Sequence, residues 1–228
     1  MILALWSVCL SQKYEYDITY MGLPAAEVKI EVSDTIFLGA PAKIIKYNTH
    51  TISFIHSFFA VDNEYKTITS PDYKKILSFS KETHHPGLDD TLSAILNINT
   101  NLLEYVHTSK KINSEIFNVF SLFHYLQDTT SKIESKLSNL VIDKEGSLFK
   151  GHLSLESENS REKIVDLNLH KLNEPTPINR KTDIFTWAVF LENSKRKLIF
   201  NKRTGVLEKC IFSKGIISMK AKLTSYTP

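Results

Sequence analysis

Tyr14-Glu15-Tyr16-Asp17-Ile18-Thr19-Tyr20-Met21-Gly22-Leu23-Pro24-Ala25-Ala26 is the stretch on which the reading of this chain turns. In an extended backbone Tyr14, Tyr16, Ile18 and Tyr20 share one face, while Glu15, Asp17 and Thr19 share the other. That alternation predicts a strand with one face buried. Gly22 is free to take positive φ and Pro24 has its φ fixed, so together they interrupt the run. Past them Val28, Ile30 and Val32 alternate with Glu27, Lys29 and Glu31 in the same manner. Two antiparallel strands joined by a short turn follow.

Outward from this hairpin, the same signals predict further strands at about 42–51, 61–69, 74–83, 91–98, 102–109, 132–142, 147–156, 163–172, 183–191, 197–201, 206–213 and 216–224. Ser70-Pro71-Asp72, His85-Pro86-Gly87, Asp143-Lys144-Glu145-Gly146, Thr204-Gly205 and Lys214-Gly215 supply the Gly, Pro or Asx residues that the intervening turns need. One segment departs from this period. Between Asn113 and Gln127, Ile116, Val119, Phe120, Phe123 and Leu126 recur at helical spacing after Asn113-Ser114, which can cap. The chain is therefore read as mainly β, a strongly curved antiparallel meander forming a half-barrel or barrel, with one amphipathic helix around 113–127 that docks into the core. A composition of 42% hydrophobic and 23% charged residues over 228 positions, with no Pro- or Ser-rich linker, fits a single domain over 12–228.

The same residues carry a resemblance. Tyr16-Asp17-Ile18 followed by Tyr20-Met21-Gly22-Leu23-Pro24-Ala25-Ala26 resembles the opening of the bacterial envelope family called domain of unknown function 3108. Ser57 to Tyr65 resembles that family's aromatic stretch leading into a Val-x-Asp-x-Tyr strand. Asp183 to Leu191 is similar to its late aromatic-Trp strand, and Thr204-Gly205-Val206-Leu207 to its final Gly-Val turn. The resemblance covers roughly residues 13–225 and implies a secreted protein of the envelope; it implies no activity.

The N-terminus gives a matching expectation. Met1 to Val8 is almost wholly apolar, and Cys9-Leu10-Ser11 places small residues where a signal peptidase reads, which predicts a signal peptide over 1–11 and a periplasmic or envelope location. Leu5 to Val8 precede Cys9 loosely in the manner of a lipobox, but Val8 stands where a small residue belongs, so a lipid anchor at Cys9 is the weaker alternative. Cys210 would then be the one cysteine of the mature chain, unable to form an internal disulfide.

Chemistry is hard to find. The chain lacks a Gly-x-Ser-x-Gly elbow, a phosphate loop, a Gly-x-Gly-x-x-Gly turn and a His-Glu-x-x-His helix. His84-His85 point opposite ways on an extended chain and read as solvated turn residues rather than metal ligands. His152 and His170 fall on neighbouring strands without an acidic or thiol partner at telling spacing. Asp89-Asp90 reads as a charged loop rather than half of a glycosidase pair. No catalytic or metal residue, no cofactor and no nucleic-acid partner is assigned.

Charge is distributed unevenly. From Arg180 to Lys222 there are 11 Lys and Arg against three acidic residues; with a net charge of +3 for the whole chain, the remainder carries −5. Lys195-Arg196-Lys197 and Lys202-Arg203 bracket Leu198-Ile199-Phe200, so the clusters fall at the two ends of one strand, a candidate surface for a lipid headgroup or another anionic envelope component. Phe54, Phe58 and Phe59, with the Phe residues of the helix, are the expected lining of a concavity. Three readings follow: a non-enzymatic envelope protein binding an apolar or lipid-like ligand or a partner; an enzyme on cell-wall or envelope polymers built from scattered acidic and His residues; and a structural subunit of an envelope assembly.

Overall fold

The computed structural model describes residues 11–52, 60–108, 110–130, 136–172 and 183–228. The signal-peptide segment, Cys9, Phe54, Phe58, Phe59 and Arg180 lie outside these.

The opening hairpin forms as its alternation requires. β1 (Ser11–Tyr20) and β2 (Leu23–Phe37) pair antiparallel, burying Tyr14, Tyr16, Ile18, Val28, Ile30 and Val32 on one face. Met21 and Gly22 both take positive φ, 49° and 85°, the pair that a two-residue turn needs to match strand twist. Pro24 follows at a bulge where the register shifts between Ile18 and Thr19, a position that tolerates the missing N–H.

The meander continues through β3 (Ala40–Thr51), β4 (Asp62–Thr69), β5 (Ile76–His85), β6 (Leu88–Asn97), β7 (Leu102–Tyr105) and β8 (Lys111–Asn113). After the two-residue β9 (Phe117–Asn118) and helix α1 (Val119–Thr129), it resumes in β10 (Lys136–Lys144), β11 (Ser147–Glu158) and β12 (Glu162–Lys171). Helix α2 (Ile184–Phe190), β13 (Lys195–Asn201), β14 (Leu207–Lys214) and β15 (Ile217–Thr227) complete it. All fifteen strands join one sheet in the order β8-β7-β6-β5-β4-β3-β2-β1-β15-β14-β13-β12-β11-β10-β9. The described strands pair antiparallel throughout, except for a parallel β9–β10 contact.

This order forces curvature. β8 and β9 are opposite edges of the sheet, yet only Ser114, Glu115 and Ile116 separate them in the chain. Four residue steps reach at most about 14 Å, so the edges must come close. Contacts across the seam agree: the Tyr105 hydroxyl of β7 donates to the Asp143 carboxylate of β10. The edges do not pair among the described residues, and the result is a curved, unclosed, barrel-like sheet.

Helix α1 fills the concave side. Phe120 meets the rings of Tyr47, Tyr65, Phe79 and Phe185, and His124 meets those of Tyr14, Tyr47 and Tyr73, so the helix touches β1, β3, β4 and β5 at once. It is buried on most of its circumference, as a helix inside a barrel must be. It starts later than its spacing predicts. Ser114 Oγ is committed to Asn101 O at 3.1 Å, and the cap is Asn118, whose Oδ1 accepts from Ser121 N at 2.9 Å while Ser121 Oγ accepts from Asn118 N at 3.1 Å.

Residues 183–191 overturn their reading as a strand. Asp183 Oδ1 accepts from Thr186 N at 2.9 Å and its carbonyl from Trp187 N at 2.8 Å, which opens helix α2. Ala188, Val189 and Phe190 are buried consecutively, which a half-buried strand cannot do. A short apolar run does not distinguish the two conformations locally; the cap and the enclosing sheet decide.

Candidate functional site

Helix α2 lies across one mouth of the barrel and is held at both ends. At its N-terminus Asp183 Oδ2 sits 2.9 Å from Lys81 Nζ, which also donates to Glu145 Oε1 at 2.5 Å. At its C-terminus the Arg196 guanidinium, itself buried, donates to the carbonyls of Val189, Ser194 and Leu191. These contacts compensate a helix too short to persist alone.

Lys81 reaches the interior because it is in phase with Phe79 and Thr83, the buried face of β5. Glu145 is brought opposite by the β10–β11 turn, where Glu145 and Gly146 take φ of 51° and 84°. Burial pushes the Glu145 carboxyl above its ordinary range against the pull of Lys81. Burial would also raise Asp183, but Lys81, the Thr186 amide and Tyr65 together hold it below the usual carboxylate range. Lys81 stays firmly charged: its burial is outweighed by Asp183 and Glu145. The nearby space, lined by Tyr65, Asp143, Glu145 and Thr186, is about 20 Å³, a volume on the scale of one water.

Next to this buried cluster the barrel mouth opens into a cavity of about 380 Å³. Ile18, Ala26, Val28 and Met219 line it from the strands, and Phe185 and Trp187 from helix α2. Tyr20 and Leu23, at the β1–β2 turn, form part of its outer wall. Val28, Thr49 and Asn63 face one another across β2, β3 and β4, one row deeper than Ala26 and Thr51. A void of about 40 Å³ shares the Ile18, Val28 and Phe185 walls and continues toward His124 and Cys210.

Asn63, 1% exposed, is with Thr49 a buried polar residue of this lining. Its Nδ2 donates to the Tyr65 hydroxyl at 3.2 Å, and its Oδ1 has no hydrogen-bond partner. Tyr65 interacts electrostatically with Asp183, so polar groups run from the cavity through Asn63, Tyr65 and Asp183 to Lys81.

The residues singled out in the sequence behave variously. His84 pairs with Asp89 at 3.1 Å, exposed, and no group of three or more His, Cys, Asp or Glu able to hold a metal occurs among the described residues. His152 and His170 do meet, with ring centroids 5.9 Å apart. Cys210 is buried, and burial pushes its thiol up to about 12, which keeps it protonated. The two basic clusters lie at opposite ends of β13: Arg196 is consumed by helix α2, Lys197 pairs with Glu156, and Lys202 pairs with Glu158 at 2.7 Å. The helix phenylalanines Phe120 and Phe123 belong to the core, and the 380 Å³ cavity is lined instead by aliphatic side chains with Phe185 and Trp187. Sequence reading missed Lys81, Glu145, Asp183 and Asn63; the legible signal was a lysine and an asparagine at inward-facing strand positions.

No family model and no curated protein matches the chain. Among solved structures it is similar to the crystal structure of a beta-barrel-like protein of domain of unknown function DUF1849 from Brucella abortus, with 9% sequence identity and a TM-score of 0.56. The likeness covers 96% of this chain and 97% of that one and, at such identity, shows the fold alone: this chain has a barrel-like β fold.

Proposed function

We propose that this is a secreted, non-enzymatic protein of the bacterial envelope that binds an apolar or lipid-like ligand in the mouth of its barrel-like sheet. The observation that carries this reading is the cavity of about 380 Å³ with an almost wholly apolar lining, within the size range of small-molecule sites. The apolar N-terminal run and the resemblance to domain of unknown function 3108 support the compartment.

The mouth is suited to an apolar source. Met21, Leu23 and Ile216 are exposed, Leu23 at 63% and Ile216 at 85%, on two hairpin tips tied together by Met21 N donating to Ser218 O at 2.7 Å. Exposed apolar tips beside a cavity entrance favour peripheral contact with a lipid surface. Against the enzyme reading, the carboxylates around Lys81 converge where the free space holds about one water, and among the described residues no carboxylate or histidine lines the 380 Å³ cavity; Glu82, Asp90 and His107 line a separate, more polar space of about 400 Å³.

Protein isolated from its native envelope and extracted with organic solvent should release a bound apolar species in near-stoichiometric amount, read by mass spectrometry. A clean extract, together with no binding of 1-octanol or 1-methoxyoctane by the purified protein, rejects the ligand and leaves a scaffold.

A further inference from the structure

We infer that the ligand of this cavity carries a neutral hydrogen-bond donor, a hydroxyl or an amide N–H, at the end that enters first, and that Asn63 Oδ1 receives it. This rests on the cavity being a ligand site and specifies the chemistry that the site selects.

Three facts fix the orientation of the Asn63 amide. Asp183, held ionised near Tyr65, can only accept, which favours the Tyr65 hydroxyl proton turned toward it. The Tyr65 oxygen is therefore an acceptor toward Asn63, and the group that faces it must be the Nδ2 donor, 3.2 Å away. Oδ1 is then left as an acceptor with no partner among the described residues, in a side chain that is 1% exposed and lines the cavity. Lys81 makes this arrangement durable, because it keeps Asp183 ionised and so keeps the Tyr65 proton directed away from Asn63.

A buried acceptor without a partner carries an uncompensated desolvation cost, and a donor supplied by a ligand removes it. The position selects the sense of entry. Asn63 sits in the inner row with Val28 and Thr49, below Ala26 and Thr51, so a polar head meets Oδ1 at depth while an alkyl tail lies along Ile18, Ala26, Phe185 and Trp187 toward the mouth. A carboxylate head is excluded: it brings only acceptors to an acceptor, and it would be an unpaired charge in an apolar wall. At about 30 Å³ per small heavy-atom group, the cavity holds roughly a dozen such groups, the size of a medium-chain alcohol.

The test compares 1-octanol, a donor, with 1-methoxyoctane, an acceptor of nearly equal shape, by calorimetric titration of the intact purified protein. 1-Octanol should bind at least about tenfold more tightly, the ratio that one satisfied buried acceptor provides. In Asn63→Leu the two should bind within about threefold of each other, the alcohol weakened and the ether strengthened. Equal affinities in the parent protein overturn the inference and leave the apolar site standing, and this comparison does not depend on the variant folding. A preference that persists unchanged in Asn63→Leu also overturns it, by placing the acceptor elsewhere. Binding of neither compound overturns both the inference and the cavity reading.

Discussion

Asp143 and His124 are buried groups whose protonation opposes one another. Burial pushes Asp143 up to about 7 from its ordinary 3.8, although Tyr105 and the Gly146 amide both donate to it. An acid with a raised folded pKa contributes stability that is complete below about pH 4 and is lost as pH rises toward 7, because the unfolded chain releases the proton first. Burial holds His124 down at about 3 from 6.5, with Lys43 adding to the effect, so its contribution is intact above pH 6.5 and is lost as pH falls toward 3. His124 is held neutral in one tautomer: Gln127 Oε1 accepts from Leu207 N at 2.9 Å, which directs Gln127 Nε2 to His124 Nδ1 and places the ring proton on Nε2, toward the Tyr47 hydroxyl. Between about pH 4 and 6.5 the two groups cancel. Asp143→Asn should therefore raise the melting temperature relative to the parent more at pH 8 than at pH 4, since any fixed loss at the Tyr105 contact is common to both. A difference between variant and parent that does not change with pH would show that Asp143 is ionised throughout.

At the scale of the element, helix α2 is the piece whose placement depends on charges far from it in sequence. Lys81 of β5, Glu145 of the β10–β11 turn and Asp183 of the helix cap form a buried triad in which two carboxylates share one ammonium. Lys81→Met strands both carboxylates in the interior, and breaking a buried pair from one side costs about 3–5 kcal/mol. Without the cation the folded pKa values of Glu145 and Asp183 rise, so the loss is largest near neutrality and shrinks as pH falls and the carboxyls take up protons. Urea unfolding at pH 7.5 and pH 5 should show the smaller deficit at pH 5. The same deficit at both values would mean that Lys81 acts through packing alone. Since helix α2 carries Phe185 and Trp187, the variant should also weaken 1-octanol binding at pH 7.5.

For the whole molecule, the sheet curls because its first and last strands are neighbours and its two edges are joined by three residues. The curl leaves space at one mouth after α1 has filled the rest. Ala26, partly buried on the cavity wall in register between Ile18 and Thr51, provides a direct test. Ala26→Leu adds three carbons into existing space, so stability should be unchanged or rise by about 1 kcal/mol, while affinity for 1-octanol falls at least tenfold. A destabilisation of about 1–3 kcal/mol, the mark of overpacking, would contradict the cavity volume.

What the sequence determined by itself was local. Alternation in Tyr14 to Tyr20 and Val28 to Val32 specified the opening hairpin, and the same signal located most later strands, because side-chain parity in a strand is set by the backbone. The 3.6-residue period of Val119, Phe120, Phe123 and Leu126 specified α1, though its cap at Asn118 depended on which side chains were already committed elsewhere. Helix α2 was not legible, because a mostly apolar segment of seven residues fits either period and Asp183 caps as part of a contact with Lys81, about a hundred positions away. The site was half legible: parity points Lys81 and Asn63 inward, but parity says nothing of what faces them. That was decided only by tertiary structure, since strand register and sheet curvature are set by pairings across the whole chain, and it is they that bring Asn63, Tyr65, Lys81, Glu145 and Asp183 into one chain of contacts beside an apolar cavity.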